Sequence, residues 1–249
     1  MIENYEEYKE LQNIELEMLI KFREICDKYN LTYYLSGGAF LGAVRHKGFI
    51  PWDDDVDVAM PREDYDEFVK VVQSELPEKM EFKSIPLDSN YHVTWSRIIN
   101  NDVKVIVHNY EKDEIEPAWI DIFTLDGMPD SKILMNIHKV RLLWRRVTYG
   151  WANYRYVSYN KKNRPWYEKF LMWIGKTIKP GRWMTIQKEY EKLENALRRY
   201  PCRQSKYYMN FKGTYMFNSI MEKDLYYGDG ALYEFEGGYS MPRLIMIAI

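Results

Sequence analysis

The sequence predicts an α/β (α+β) fold: a mixed sheet core, flanking helices and a basic helical insertion. Three observations predict it. Short β-prone runs such as LTYYL (31–35) and AWIDIFTL (118–125) have strand length. Amphipathic segments with helical spacing alternate with them. Residues 131–200 read almost wholly as helices and carry a dense mixture of cations and aromatics.

The elements follow in order. Asn4 to Tyr29 reads as a helix, with Leu11, Ile14, Leu19, Ile20 and Phe22 on one broad face. Leu31 to Leu35 is a strand, and Ser36-Gly37-Gly38 follows at once. Ala39 to Val44 starts a short helix that ends in a basic turn, Arg45-His46-Lys47. Gly48 and Pro51 break the chain before an acidic strand that runs from Asp53 to Met60. Arg62 to Leu76 is an amphipathic helix closed by Pro77, with Tyr65, Phe68, Val69 and Val72 at helical spacing. Strands are expected at Tyr91–Ile98, Val103–His108 and Ala118–Leu125. Helices are expected at Ser131–Tyr149, Trp166–Ile178 and, past the Pro180-Gly181 break, Arg182–Tyr200. The organisation expected is a core over residues 1–130 that includes the N-terminal helix, a basic aromatic-rich helical subdomain over 131–200, and a segment over 201–249 that returns to the core.

The chemistry concentrates in Ser36 to Val58, SGGAFLGAVRHKGFIPWDDDVDV. Asp53, Asp55 and Asp57 alternate, and alternate residues of a strand share a face. Three carboxylates on one face repel each other unless a hard divalent cation offsets them, and oxygen-only ligands suit Mg²⁺ or Mn²⁺. Two glycines after a strand let backbone amides approach a phosphate, and the following helix adds its N-terminal dipole. Ser36, Gly37 and Gly38 are therefore expected to hold a substrate phosphate, with Arg45 or Lys47 offsetting its charge. An EF-hand is excluded: counting from Asp53, Val58 and Asp64 stand where the loop needs Gly and Glu. Asp121 interrupts an apolar strand, which is costly unless the charge is paired or metal-bound, so it is expected as a further ligand. Arg97 would project from a neighbouring strand, either to substrate phosphate or to an acidic neighbour. Asp126, in the turn after the strand, reads as structural.

These residues resemble the LicD family, which includes bacterial phosphocholine transferases and relatives of the fukutin type. The resemblance rests on Gly37-Gly38, Leu41-Gly42-Ala43, Arg45, the string GFIPWDDDVDV (48–58) and Ile120-Asp121-Ile122-Phe123. It extends over Glu15 to Pro242 and is strongest in the first half. The resemblance implies a nucleotidyltransferase-like core, in which the Gly-Gly turn maps to Gly37 and Gly38, the paired aspartates to Asp55 and Asp57, and the third carboxylate to Asp121, with Asp53 an added ligand. It implies catalytic Asp55, Asp57 and Asp121, and metal bound by Asp53, Asp55, Asp57 and Asp121. The implied activity is transfer of a phosphoalcohol, phosphocholine first among them, from a CDP-linked donor such as CDP-choline. The acceptor would be a glycan or lipid-linked glycan precursor of lipopolysaccharide, teichoic acid or capsule. LYEFEGGYSMP (232–242) matches the family's late segment. Arg243 to Ile249 (RLIMIAI) then replaces its Tyr-Asp-rich ending and reads as a truncated or frameshifted terminus.

Two other functions stay open: a nucleotidyltransferase that moves NMP to a small molecule or protein, and a non-catalytic binder of anionic glycan or membrane.

Composition narrows the setting. Hydrophobic content is 46%, which argues against disorder. Cys26 and Cys202 lack metal-ligand spacing and read as reduced thiols. The acidic N-terminus MIENYEEYKE is no signal peptide, and no apolar run reaches the roughly 20 residues that span a bilayer. A cytoplasmic location is expected, with peripheral contact at the inner face of the membrane. The net charge of −2 hides an asymmetry: Ser131 to Arg182 has 13 Lys or Arg against one acid, Glu168. Trp144, Trp151, Trp166 and Trp173 lie among those cations. Such a mixture suits an anionic membrane surface, or else is a helix core with a solvated cationic face. Nucleic acid is the weaker partner, because no nucleic-acid motif accompanies the cations.

Overall fold

The computed structural model describes residues 5–88, 90–108, 113–154, 166–213, 216–223, 232–235 and 239–242. Helices and strands alternate through the first half, and helices dominate the second.

Helix α1 (Tyr5–Lys28) is followed by β1 (Tyr34–Ser36), α2 (Gly37–His46), β2 (Asp57–Pro61) and α3 (Arg62–Glu75). Asn30, at φ 53°, takes the left-handed turn that ends α1, a conformation asparagine tolerates. Glu63 and Asp64 sit in the first turn of α3, where acids suit the helix dipole. Its end is set by Pro77, which forces Leu76 into extended backbone. Then come β3 (Met80–Lys83), β4 (Ser96–His108) and β5 (Asp113–Met128).

The sheet runs β1-β2-β5-β4-β3. Strands β2 and β5 are parallel, and the pairs β1/β2, β3/β4 and β4/β5 are antiparallel. One face carries Val58, Met60, Ile98, Ile120 and Ile122, and packs on α1 and α3. Phe22 and Phe68 meet there with ring centroids 5.1 Å apart, and Phe68 reaches Phe82 at 5.9 Å. Each such fully buried ring contributes roughly 1.5–3 kcal/mol of burial energy. The opposite face packs Tyr34, Ala59, Phe123 and Leu125 against Tyr208 and Cys202.

Beyond the core lie α4 (Lys132–Ala152), α5 (Trp166–Thr177) and α6 (Ile186–Leu197). Helices α4 and α6 enclose Leu142, Leu193 and Leu197 with Met209 and Phe211. Strand β6 (Tyr207–Met209) adds to β5, and β7 (Met221–Glu222) adds to β6. A hairpin, β8 (Leu232–Phe235) with β9 (Tyr239–Pro242), approaches α2 and β1. The expected terminal run Arg243–Ile249 lies outside the described residues. Cys26 and Cys202 are both buried and free.

Two expectations change in detail. The acidic segment is not a strand throughout: residues 53–56 are irregular and β2 begins at Asp57. Pro51 and the turn at 51–52 hold the chain out of the ladder until Val56, whose carbonyl accepts the Asp121 amide at 2.8 Å. The strands expected at Tyr91–Ile98 and Val103–His108 form one strand, β4, from Ser96, with a bulge between Asn100 and Lys104.

A buried ion network joins the sheet to the added helices. Arg62, at the start of α3, donates to Asp126 (2.7 Å), Glu194 of α6 (2.7 Å) and Thr124 (3.0 Å). Lys212 pairs with Glu194 at 2.6 Å and donates to the Tyr190 hydroxyl at 2.7 Å. Burial alone would raise the Glu194 carboxyl, but Arg62 and Lys212 bring it down to about 2. Burial outweighs Arg62 at Asp126, whose carboxyl is raised and whose Oδ2 has no partner. Asp126 is thus structural, as expected. Removing one member leaves the others charged and uncompensated. Arg62→Met should cost about 3–5 kcal/mol in urea unfolding, and adding Asp126→Leu should recover part of it. A loss under about 1 kcal/mol would show the network to be dispensable.

Candidate active site

The parallel pairing of β2 with β5 aligns the site. Asp57 stands opposite Asp121, and Val58 opposite Ile122. On the flanks, Ser36 pairs with Asp57 and Arg97 with Asp121. One row across four strands therefore reads Ser36, Asp57, Asp121, Arg97. Partners in register point to the same side of a sheet, so two carboxylates lie side by side with a guanidinium next to them. A slip of one residue would send Asp57 into the apolar face and Val58 out of it.

The loop before β2 adds three more carboxylates. Asp53, Asp54 and Asp55 each bring an oxygen within 4.8 Å of the others. Strand alternation would have turned Asp54 away, whereas the irregular backbone lets consecutive aspartates converge. Helix α2 lies along this loop. A Cβ on Gly37, whose φ is +55°, would come within 2.8 Å of Asp57 Oδ2, and one on Gly38 would collide with Asp53 Oδ2. Gly42 meets the backbone of Gly48 and Ile50 in the same way. The glycines are needed for close approach of helix to carboxylates, and Gly37 also for its left-handed backbone. The first-turn amides of α2, like those of any helix, have no partner within the helix.

Helix α1, packed on the apolar face, also holds the acidic loop. Gln12 Nε2 donates to the carbonyl oxygens of Ile50 (3.0 Å) and Asp53 (2.9 Å), so it clamps the acidic loop. Glu15 is 2% exposed, and its Oε2 has no hydrogen-bond partner. Burial first, then Asp55, Asp54, Asp53 and Asp121, push its carboxyl up to about 9. Sequence reasoning missed both residues. Glu15 had a signal: with Leu11, Met18 and Phe22 it lies at helical spacing on the apolar face of α1, where a lone acid is out of place. Gln12 had none, because its role depends on where a distant loop returns.

The site carboxyls share this upward displacement. Burial raises Asp55 to about 6 and Asp57 to about 8, each further raised by its acidic neighbours and opposed by Arg97. Asp53 and Asp121 are raised too, again first by burial.

Arg97 pairs with acids. Its Nε donates to Asp121 Oδ1 at 2.8 Å and its Nη1 to Glu116 at 3.0 Å, while its guanidinium lies 4.3 Å from the Trp119 ring centroid. The indole N–H groups of Trp95 and Trp119 are buried, make no hydrogen bond of normal geometry, and lie close enough to Asp121 to favour its charged form. Both indoles escaped sequence reasoning, since nothing separates a site tryptophan from a core one in the string.

The structure thus brings together Ser36, Gly37, Gly38, Asp53, Asp55, Asp57, Asp121 and Arg97. Among the described residues, Arg45 and Lys47 form no ion pair with these carboxylates. Both are exposed near the end of α2, roughly 12 Å along the helix axis from Gly37. The expected short helix begins at Gly37 rather than Ala39, and its rise carries the basic turn away. His46 is likewise exposed, beside Trp52. His138 is fully buried in α4, and burial, with Arg141 and Arg199, holds it neutral down to about 4.

Five aspartates and Glu15 gathered around one site predict an unusual pH response. An acid with a raised folded-state pKa stabilises the fold only while protonated. Its contribution is complete below the ordinary carboxylate range and is lost as pH rises through the folded value. With chelator present, the melting midpoint should fall from pH 5.5 to pH 8.5 as Asp55, Asp57 and Glu15 are forced to ionise. Asp57→Asn should raise the pH 8.5 midpoint by roughly 2–4 °C, the response of a protein this size to about 1 kcal/mol. A midpoint that climbs over this range in both proteins would contradict the carboxylate crowding.

Residues 30–136 match the family described as LicD/FKTN/FKRP, nucleotidyltransferase domain. The lipopolysaccharide cholinephosphotransferase LicD of Haemophilus influenzae is 35% identical over 133 residues, which cover 53% of this chain and 49% of that protein. An uncharacterised protein of Rickettsia typhi is 39% identical over 125 residues, 50% of this chain and 38% of that one. The chain spans about half the length, or less, of these curated relatives. The matched segment runs from the end of α1 into α4 and contains β1 to β5 with every sheet residue of the acidic row. The chain therefore carries a LicD-family nucleotidyltransferase domain over residues 30–136.

Proposed function

We propose that the protein is a divalent-metal-dependent phosphotransferase that moves a phosphoalcohol from a CDP-linked donor to a hydroxyl of a cell-surface glycan precursor. The observation that carries this reading is the in-register row Ser36, Asp57, Asp121, Arg97, crowded by Asp53 and Asp55. The similarity to a lipopolysaccharide cholinephosphotransferase favours phosphocholine as the group and CDP-choline as the donor. A lipid-linked acceptor at the inner membrane face would fit the basic segment.

The donor set suits Mg²⁺ or Mn²⁺: it is all oxygen, and burial, then the crowding of like charges, raises its carboxyls. Asp53, Asp55, Asp57 and Asp121 would hold the ions. When bound, such ions supply charge stabilisation to the transferring phosphoryl group and acidify the attacking hydroxyl.

The chain's own residues do the rest. Ser36 and the amides at Gly37 and Gly38 bind the diphosphate, since no side chain separates them from it. Arg97, anchored on Asp121 and Trp119, orients that carboxylate. The acceptor oxygen attacks the phosphorus that bears the alcohol. A new P–O bond forms as the bond to the CMP oxygen breaks in line, and CMP leaves with the electron pair. The hydroxyl proton passes to an ionised carboxylate of the site, Asp55 or Asp57. Arg45 and Lys47 take no part in this step.

The test is CMP release from CDP-choline with Mg²⁺ and a lipid-linked glycan extract. Wild type should release CMP, and Asp57→Ala or Asp55→Ala should lower the rate by about 10³-fold or more. CMP release that survives both substitutions would sink the reading. Pyrophosphate release from a nucleoside triphosphate instead would assign the site to NMP transfer.

A further inference from the structure

Helix α4 turns its apolar residues outward. Ile133, Ile137, Val140 and Trp144 are 73%, 52%, 67% and 55% exposed. Their spacing places them in one stripe along the helix. The opposite side carries His138, Leu142 and Tyr149, which are buried against the rest of the fold. A helix that already has a buried face has no packing reason for a second apolar stripe, and large exposed apolar patches mark contact surfaces.

Cations border the stripe on both sides. Arg141 and Arg145 lie along one edge; Lys132, Lys139 and Arg146 recur every seven residues farther round the other side, where Lys139 and Arg146 also lie 5.8 Å over the rings of Phe217 and Phe211. Helix α4 contains no acid. The stripe continues into the next element: Trp144 sits edge-on to Trp151, whose Nε1 donates to the Leu171 carbonyl of α5 at 3.0 Å. Helix α5 exposes Phe170 and Trp173, stacked at 6.0 Å, beside exposed Lys169 and Lys176.

We propose that this outward face of α4 and α5 docks in the plane of an anionic lipid surface, with the apolar stripe in the acyl boundary and the flanking cations at the headgroups. An apolar band edged by Lys and Arg and ended by tryptophans is the pattern of an interfacial helix, and long cationic side chains reach the headgroups from both edges. A second copy of the chain fits less well, because both edges of the stripe are cationic and self-pairing would oppose like charges. No helix among the described residues is long and apolar enough to cross a membrane, so the contact is peripheral. The proposal stands apart from the catalytic reading, since none of its residues touches the acidic row.

Vesicle flotation tests it. The protein should float with equimolar phosphatidylcholine and phosphatidylglycerol at low ionic strength, not with phosphatidylcholine alone, and should be released by salt. Ile137→Ser with Trp144→Ser should lower partitioning about ten-fold or more. Reversing the exposed Lys132, Lys169 and Lys176 to Glu should lower it about a hundred-fold, given the attraction of each cation to an anionic surface. The serine variant changes exposed residues only and should keep its circular dichroism spectrum. Asp57→Ala should float like wild type, so that failure of catalysis and failure of docking are told apart. Absence of flotation with anionic vesicles, or equal flotation of the serine variant, overturns the proposal. A dimer in sedimentation velocity that Trp144→Ser dissolves would overturn it in favour of a second copy.

Discussion

Six carboxyl groups from three separate parts of the chain gather around one site, and their burial together with their mutual repulsion governs what the surrounding structure must do. Glu15 comes from α1, Asp53 to Asp55 from the loop before β2, Asp57 from β2 itself and Asp121 from β5. Arg97 touches Asp121 alone among them. Burial first, and then the neighbouring carboxylates, raise Glu15, Asp55 and Asp57 well above the ordinary carboxylate range. A fold tolerates such a cost when the crowded state is the one in which it works. Each local device follows from holding that arrangement: glycines at 37 and 38 where a Cβ would strike an aspartate, Gln12 fastening the loop carbonyls, and the register that puts Asp57 beside Asp121.

The second constraint is the attachment of the added helices. Arg62 begins α3, directly after β2, and reaches Asp126 at the end of β5 and Glu194 of α6. The strands that carry Asp57 and Asp121 are thus tied at their far ends to the helical half of the molecule. Lys212, Tyr190 and Thr124 extend the network, which leaves Asp126 Oδ2 without a partner. Such a buried network adds little net stability compared with apolar packing, but it fixes one arrangement of the parts. It also joins the nucleotidyltransferase domain to the helices whose outward face is apolar and cationic.

The site was legible in the sequence where chemistry and local pattern coincide. Asp53, Asp55, Asp57 and Asp121 stand out because carboxylates interrupt apolar strand-like runs, and Gly37-Gly38 because it follows a strand. What failed was geometry that no local pattern encodes. The alternation of aspartates suggested a strand, yet Pro51 and the turn hold residues 53–56 outside the ladder, and Asp54 joins its neighbours. Arg45 and Lys47 looked close to the site along the chain, but a ten-residue helix places them at its far end. Trp95 and Trp119 carry no signal that distinguishes a site from a core. Glu15 did carry one, an acid on an apolar helical face, and its meaning emerges only once α1 is seen to lie beneath the acidic loop. The fused strand β4 reflects the same limit, since its bulge at Asn100–Lys104 reads as a break.

The most direct measurement is calorimetric titration of Mn²⁺ into the protein at pH 7 in two buffers of different ionisation enthalpy. Carboxyls held protonated by burial and repulsion must release protons when a cation takes their place. Saturable binding with net proton release is expected, lost in Asp57→Asn and in Asp121→Asn. Binding that survives both substitutions, or that releases no proton, would contradict the claim that the crowded carboxylate row is built around a divalent cation.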